Sequence, residues 1–167
     1  MKSLFSVTPK FTIDTCSFNE MFDDERASNR KNFPGIWEGV EELISSGEII
    51  SHEEVYEEIM DGPYEDLKTW ARNNKHVFEA YDYVGEGKII ADMGKKGFAE
   101  FVHQRKKKHN ADPWLVAQAK KQGLRIITQE RKKGIRDIPR VAEVFKIDHL
   151  DIFALVKEKG WVLRRGR

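Results

Sequence analysis

The sequence predicts an α/β fold in three layers, a short parallel sheet packed between helices. Short apolar, β-branched runs at 11–13, 48–50, 124–128 and 146–149 alternate with longer amphipathic stretches, the order expected of a parallel sheet covered on both faces. Residues 112–122 read as a helix that turns through Gly123 directly into an apolar strand. No repeat, low-complexity tract or linker interrupts the pattern, so residues 1–167 form one domain, with a basic C-terminal tail from about 161.

In order, the run 11–13 is a strand ending at Asp14, with Thr15, Cys16 and Ser17 as the turn after it. Residues 18–31 are polar and acidic without a clear period, which predicts a loop or an irregular helix. Pro34 and Gly35 open an amphipathic helix with Ile36, Trp37, Val40, Leu43 and Ile44 on one side, ending at Gly47. After a short strand at 48–50, Ser51 and Glu54 have capping-box spacing for a helix to about Met60. Val55 and Ile59 form its core stripe, with Glu54 and Glu58 four residues apart along the stripe's edge.

Residues 64–73 are a further short helix, with Leu67, Trp70 and Ala71 facing in. Residues 74–88 show no readable pattern. Residues 85–102 are helical in places, weakened by Gly94 and Gly97. Asp112 stands where an N-cap belongs, Pro113 at the first helical position and Gly123 at the stop. The strand 124–128 follows, then Glu130, a loop at 132–137, a helix from Pro139 to Phe145, a last strand at 146–149, and a helix from an Asp151 cap to Lys159.

Composition narrows the function classes. Hydrophobic residues make up 40% and charged residues 34%, a globular composition rather than a disordered one. Apolar runs fall far short of the about 20 residues that cross a bilayer. The N-terminus lacks the apolar core and cleavage site of a signal peptide. The single Cys16 excludes an internal disulfide, so a cytoplasmic protein is expected; Cys16 itself reads as a small buried side chain rather than a nucleophile. The five histidines show no metal-ligand spacing, which argues against a zinc site.

The net charge of +1 hides an asymmetry: residues 1–66 hold 16 acids against 5 Lys/Arg, and residues 103–167 hold 18 Lys/Arg against 7 acids. Basic clusters at Arg105, Lys106, Lys107 and Lys108, and at Arg131, Lys132 and Lys133, flank the 112–130 stretch. Such runs are commonly solvated surface, but a basic rim around acids also suits a phosphodiester substrate.

Right-handed crossovers bring the strand carboxyl ends to one edge, and Asp14 and Glu130 follow strands there. Asp112 begins the helix before its strand, which on this reading puts it at the opposite edge unless 74–111 runs back across the sheet. Each acid also has a structural reading. Asp112 could only cap a helix, Glu58 and Glu130 could be solvated, and Asp14 could pair with a lysine or arginine.

Ile13-Asp14-Thr15, the helical Val55-Tyr56-Glu57-Glu58-Ile59, Ala111-Asp112-Pro113 and Thr128-Gln129-Glu130, in that order and spacing, resemble the PIN-domain nucleases. With Phe33-Pro34-Gly35-Ile36-Trp37 and the ending from Ile138-Pro139 to Phe145, the chain looks most like a PIN-like branch related to the toxins of toxin–antitoxin pairs. The resemblance spans nearly the whole chain. It implies a Rossmann-like PIN fold in which the third acid reaches the same pocket, and a metal-dependent endoribonuclease. Asp14, Glu58, Asp112 and Glu130 would then hold one or two Mg²⁺ or Mn²⁺ ions, with Thr15, Ser17 and Thr128 as hydrogen-bonding support and the two basic clusters holding RNA. An antitoxin protein and a homodimer are the partners it implies. The family usually has Asp where Glu130 stands, which makes that ligand the weakest. The alternative is a catalytically inactive PIN-fold module that binds RNA or protein. A dehalogenase-type phosphatase needs an acid where Cys16 stands, and no Gly-rich phosphate loop is present.

Overall fold

The structure, a computed structural model, describes residues 7–104, 106–134 and 137–162. Arg105 and the basic tail from residue 163 onward lie outside the described residues. The elements run β1 (Phe11–Ile13), α1 (Thr15–Phe22), α2 (Pro34–Ser45), β2 (Ile49–His52), α3 (Glu53–Asp61), α4 (Glu65–Asn73), β3 (Phe78–Glu79), α5 (Gly85–Met93), α6 (Ala99–Val102), α7 (Ala111–Gln122), β4 (Arg125–Ile127), α8 (Ile138–Phe145), β5 (His149–Leu150) and α9 (Ile152–Lys159). All strand pairs are parallel, in the order β3-β2-β1-β4-β5. Helices flank the sheet on both sides, as the sequence predicts: α7 lies across β1, β2 and β4 with α5 and α8 beside it, while α2 packs on β2 and α1 meets α3 and α4.

Every residue of β1 and β2 is buried, as strands covered on both faces must be. Their buried polar groups are therefore all bonded. Thr12 donates to Gln118 of α7 at 2.7 Å, and Ser51 to the Ile13 carbonyl at 2.7 Å. Below α1, Phe18, Phe22, Trp37, Trp70 and Phe78 form a chain of tilted and edge-on ring contacts. The apolar stripe read for α2 is buried in full. Gly123 and Gly160 end α7 and α9 in the left-handed conformation (φ 69° and 66°), which glycine adopts without a Cβ penalty.

Several local expectations are corrected. Thr15, Cys16 and Ser17 are not a turn but the first turn of α1, because Asp14 caps it and accepts from the Ser17 N–H at 2.8 Å. Ser51 is not a cap: it belongs to β2, and His52 caps α3 by accepting from the Glu54 N–H at 3.0 Å. The helix at 112 begins one residue earlier, behind Asn110, so Asp112 lies inside its first turn rather than at its cap. β3 lies in the unreadable stretch, two residues long at the sheet edge. Lys146 closes α8 with φ 55°, leaving only His149 and Leu150 for β5.

Candidate active site

The strand order reverses between β1 and β4, and sites in open parallel sheets form in the crevice beyond such a switch point. Asp14 closes β1 there and is only 3% exposed. Its carboxylate takes the Ser17 N–H, the Thr128 hydroxyl from the end of β4, and the Cys16 thiol at 2.8 Å. None of these is a cation, and among the described residues no lysine or arginine pairs with Asp14, which removes the ion-pair reading and leaves its role as the cap of α1. Burial raises its pKa against the opposing effect of those hydrogen bonds.

The other three acids stand on segments that begin or end near the same sheet edge. Glu58 of α3 accepts from the Thr15 hydroxyl at 2.5 Å and from the Ala111 N–H at 3.0 Å, tying the starts of α1 and α7 together. Glu130, just past β4, accepts from the Ile138 N–H at 2.8 Å and donates its own N–H to Thr128 at 3.1 Å. Asp112 is 8% exposed, and among the described residues nothing donates a hydrogen bond to its carboxyl. Burial, and then the charges of Glu130, Glu58 and Asp14, push its pKa up to about 8, with Lys107 opposing them. Burial and Asp14 likewise raise Glu130. The charges of Asp14, Glu58 and Glu130 are thus felt at Asp112, and that of Asp14 at Glu130.

The expectation that Asp112 lies at the opposite edge is overturned. A helix feeding a parallel strand runs antiparallel to it, so α7 begins level with the carboxyl end of β4.

The three hydroxyl residues differ in what they bond. Thr15 serves Glu58 and Thr128 serves Asp14, whereas Ser17 serves Asp14 through its backbone and sends its hydroxyl to the Ile127 carbonyl at 3.3 Å. Cys16 is also part of the site. Its thiol donates to Asp14 and accepts from the Gln129 N–H at 3.3 Å, and burial beside Asp14 keeps it protonated. Its position two residues past a helix-capping Asp is the signal that would have shown this.

Two clefts open beside the acids and share Asn19. One, of about 280 Å³, is lined by Cys16, Asp23, Arg26, Gln129 and Glu130. The other, of about 370 Å³, is lined by Thr15, Glu58, Lys107, Lys108 and His109. Lys107 stands 4.0 Å from Glu58, and Lys108 pairs with Asp61 at 3.2 Å. Lys106, Arg131 and Lys133 are exposed, and Lys132 is turned to Glu143 at 2.6 Å. Lys107 and Lys108 of the first basic cluster therefore border a cleft, while Lys132 of the second is engaged with α8.

A family model described as a domain of unknown function, DUF4411, matches residues 11–163.

The chain belongs to the DUF4411 family.

The match runs from the first residue of β1 to beyond α9, so all four acids of this DUF4411 chain lie inside it. No curated protein matches the chain. Among the described residues of the DUF4411 domain, no helix is long and apolar enough to cross a membrane.

The donors suit a hard divalent cation in chemistry: they are oxygen ligands, largely buried, whose mutual repulsion a cation would relieve. Among the described residues, no three His, Cys, Asp or Glu side chains stand, as placed, in a group that could hold an ion. Glu130 lines one of the two clefts and Glu58 the other, and the acids do not close a cage. Mg²⁺ commonly keeps several of its waters and takes only one or two carboxylates.

Proposed function

We propose that this chain is a PIN-type, metal-dependent endoribonuclease that hydrolyses phosphodiester bonds. One observation carries the reading: Asp14 closes β1, Glu130 follows β4, and Glu58 ties the starts of α1 and α7 together beside Asp112, whose pKa burial, and then the charges of Glu130, Glu58 and Asp14, push up to about 8. Clustered carboxylates are costly without a counter-ion, and among the described residues Asp14 has no lysine or arginine partner beside its role as the cap of α1.

Asp14, Asp112 and Glu58 would hold Mg²⁺ or Mn²⁺, with Glu130 the weakest contributor because its carboxylate also takes the Ile138 N–H. The ion would supply charge neutralisation and activation of the attacking water. The chain's own groups do the rest. Thr128 and Ser17 fix the Asp14 carboxylate, Thr15 and the Ala111 N–H fix Glu58, and Lys107 and Lys108 border the cleft along which a phosphate backbone would approach. The toxin of a toxin–antitoxin pair is the narrower form of this reading; its antitoxin would act by covering this crevice.

The test is cleavage of end-labelled RNA by the purified chain with Mn²⁺. Asp14→Asn is expected to abolish cutting, and wild-type activity in that variant would end the proposal. The open spacing of the acids favours a second reading, an inactive RNA-binding module. RNA binding that survives Asp14→Asn, with no cleavage under any divalent ion, would establish it.

A further inference from the structure

Just past β3, at the same edge of the sheet as the acids, four rings pack together. Tyr81 stacks face to face on Tyr83 (centroids 5.1 Å apart, 9° between planes), and Trp114 meets both edge-on at 5.0 and 5.9 Å. The fully buried His52 stacks on Trp114 and meets Tyr81 edge-on. Tyr83 is nonetheless 71% exposed, with Val84 beside it 69% exposed. A ring with one face covered and that much surface open must present its other face to solvent.

The platform is held in place. The Tyr81 hydroxyl donates to Glu54, whose other oxygen takes the Asn110 N–H at 3.1 Å and contacts His109 Nδ1 at 3.2 Å. His52 Nε2 lies 3.1 Å from the buried Glu86 carboxylate, which also accepts the Asp82 N–H at 3.1 Å. These bonds anchor the 80–84 loop to the segment leading into α7.

Its placement relative to the acids follows from register. Thr12 pairs with Ile50 and His52 with Glu79, so Asp14, two residues past Thr12, is level with His52 and Glu79. Two strand spacings, about 10 Å, then separate the β1 and β3 lines. The cleft bordered by Lys107, Lys108 and His109 is bounded by Glu58 and Thr15 on its acidic side, and His109 reaches Glu54, the residue that holds Tyr81.

We propose that Tyr83, backed by Tyr81 and Trp114, is a stacking platform for an unpaired nucleobase, and that the substrate of the site above is therefore single-stranded. This rests on the nuclease reading for the identity of the substrate. A solvent-facing aromatic plane can stack on any base once it is unpaired, and Lys107 and Lys108 of the cleft can hold the backbone that carries the base. Bases inside a duplex are already stacked and cannot reach it.

The test is anisotropy of labelled oligoribonucleotides on the full chain carrying Asp14→Asn, so that nothing is cut. Tyr83→Ala is expected to weaken binding of a single strand about tenfold, and Tyr83→Phe to restore it. The Tyr83→Ala loss should shrink for a strand with abasic positions and vanish for a duplex. Unchanged single-strand affinity in Tyr83→Ala, an equal loss for abasic and duplex probes, or self-association of the protein that Tyr83→Ala abolishes would each overturn the platform. Cleavage by the wild type with Tyr83-independent binding removes the platform alone. Tyr83-dependent binding without cleavage removes the nuclease alone.

Discussion

Asp112 is the residue in which the cost of the site is concentrated. Its carboxyl titrates at an ordinary 3.8 when unfolded and at about 8 in the fold, chiefly through burial and then through Glu130. Between those values the folded protein keeps a proton that the unfolded chain has released, so stability falls as pH rises from about 4 to about 8. Below 3.8 the penalty is absent; above 8 it is fully present. Asp112→Asn removes it, so the variant should melt with the wild type at pH 3.5 and several degrees above it at pH 9, since about 1 kcal/mol moves Tm by roughly 2–4 °C in a domain of this size. If Asp112 holds a divalent ion as proposed, binding requires the ionised acid, so stabilisation by Mn²⁺ should grow through pH 8 in the wild type and be largely lost in the variant. Thermal melts across pH, with and without Mn²⁺, check both; a Tm difference independent of pH would show that the fold does not raise the Asp112 pKa.

Among the elements, α3 joins the site to the frame, and Glu58 makes the connection. Its side chain is 14% exposed and takes the Thr15 hydroxyl and the Ala111 N–H, so it sets where α1 and α7 begin. Hydrogen bonds to a charged group contribute roughly 1.5–3 kcal/mol, so Glu58→Ala should lower unfolding free energy by about 2 kcal/mol in urea titrations. Glu58→Gln retains an acceptor for Ala111 and should cost under about 1 kcal/mol. If Glu58 also holds an ion, Glu58→Gln should still lose cleavage, and full activity in that variant would confine Glu58 to the scaffold. The strands and helices around the site were legible because they obey period and capping: α2, α7 and the run into β4 need only apolar spacing, Pro34 and Gly123. Ser51 was misread because a capping-box spacing also occurs when a buried strand hydroxyl bonds the neighbouring strand, as Ser51 does to Ile13. β3 was missed because two residues carry no periodicity. The place of Asp112 was misjudged from helix direction, and Cys16 was left out because its role depends on Asp14 acting as a cap.

For the molecule as a whole, α7 is the element against which the sheet is organised, and Gln118 is where it is fastened. Gln118 is fully buried. Its carbonyl takes the Thr12 hydroxyl of β1, and its amide donates to the Ser51 carbonyl of β2 at 3.0 Å and to Glu79 of β3 at 3.3 Å. One side chain thus spans three strands from the helix that also carries Asp112. Gln118→Ala leaves the Thr12 hydroxyl and part of the Ser51 carbonyl's bonding unmet and opens a cavity, so a loss of about 3 kcal/mol is expected. If the cost lies in orphaned polar groups rather than in volume, Gln118→Leu should also be destabilising, and adding Thr12→Val should recover part of the loss. The two changes would then be coupled by about 1 kcal/mol in a double-mutant cycle. Additive effects in urea unfolding would show that α7 is held to the sheet by apolar packing alone. A single cooperative transition is expected throughout, because the helix and the three strands it binds share one core.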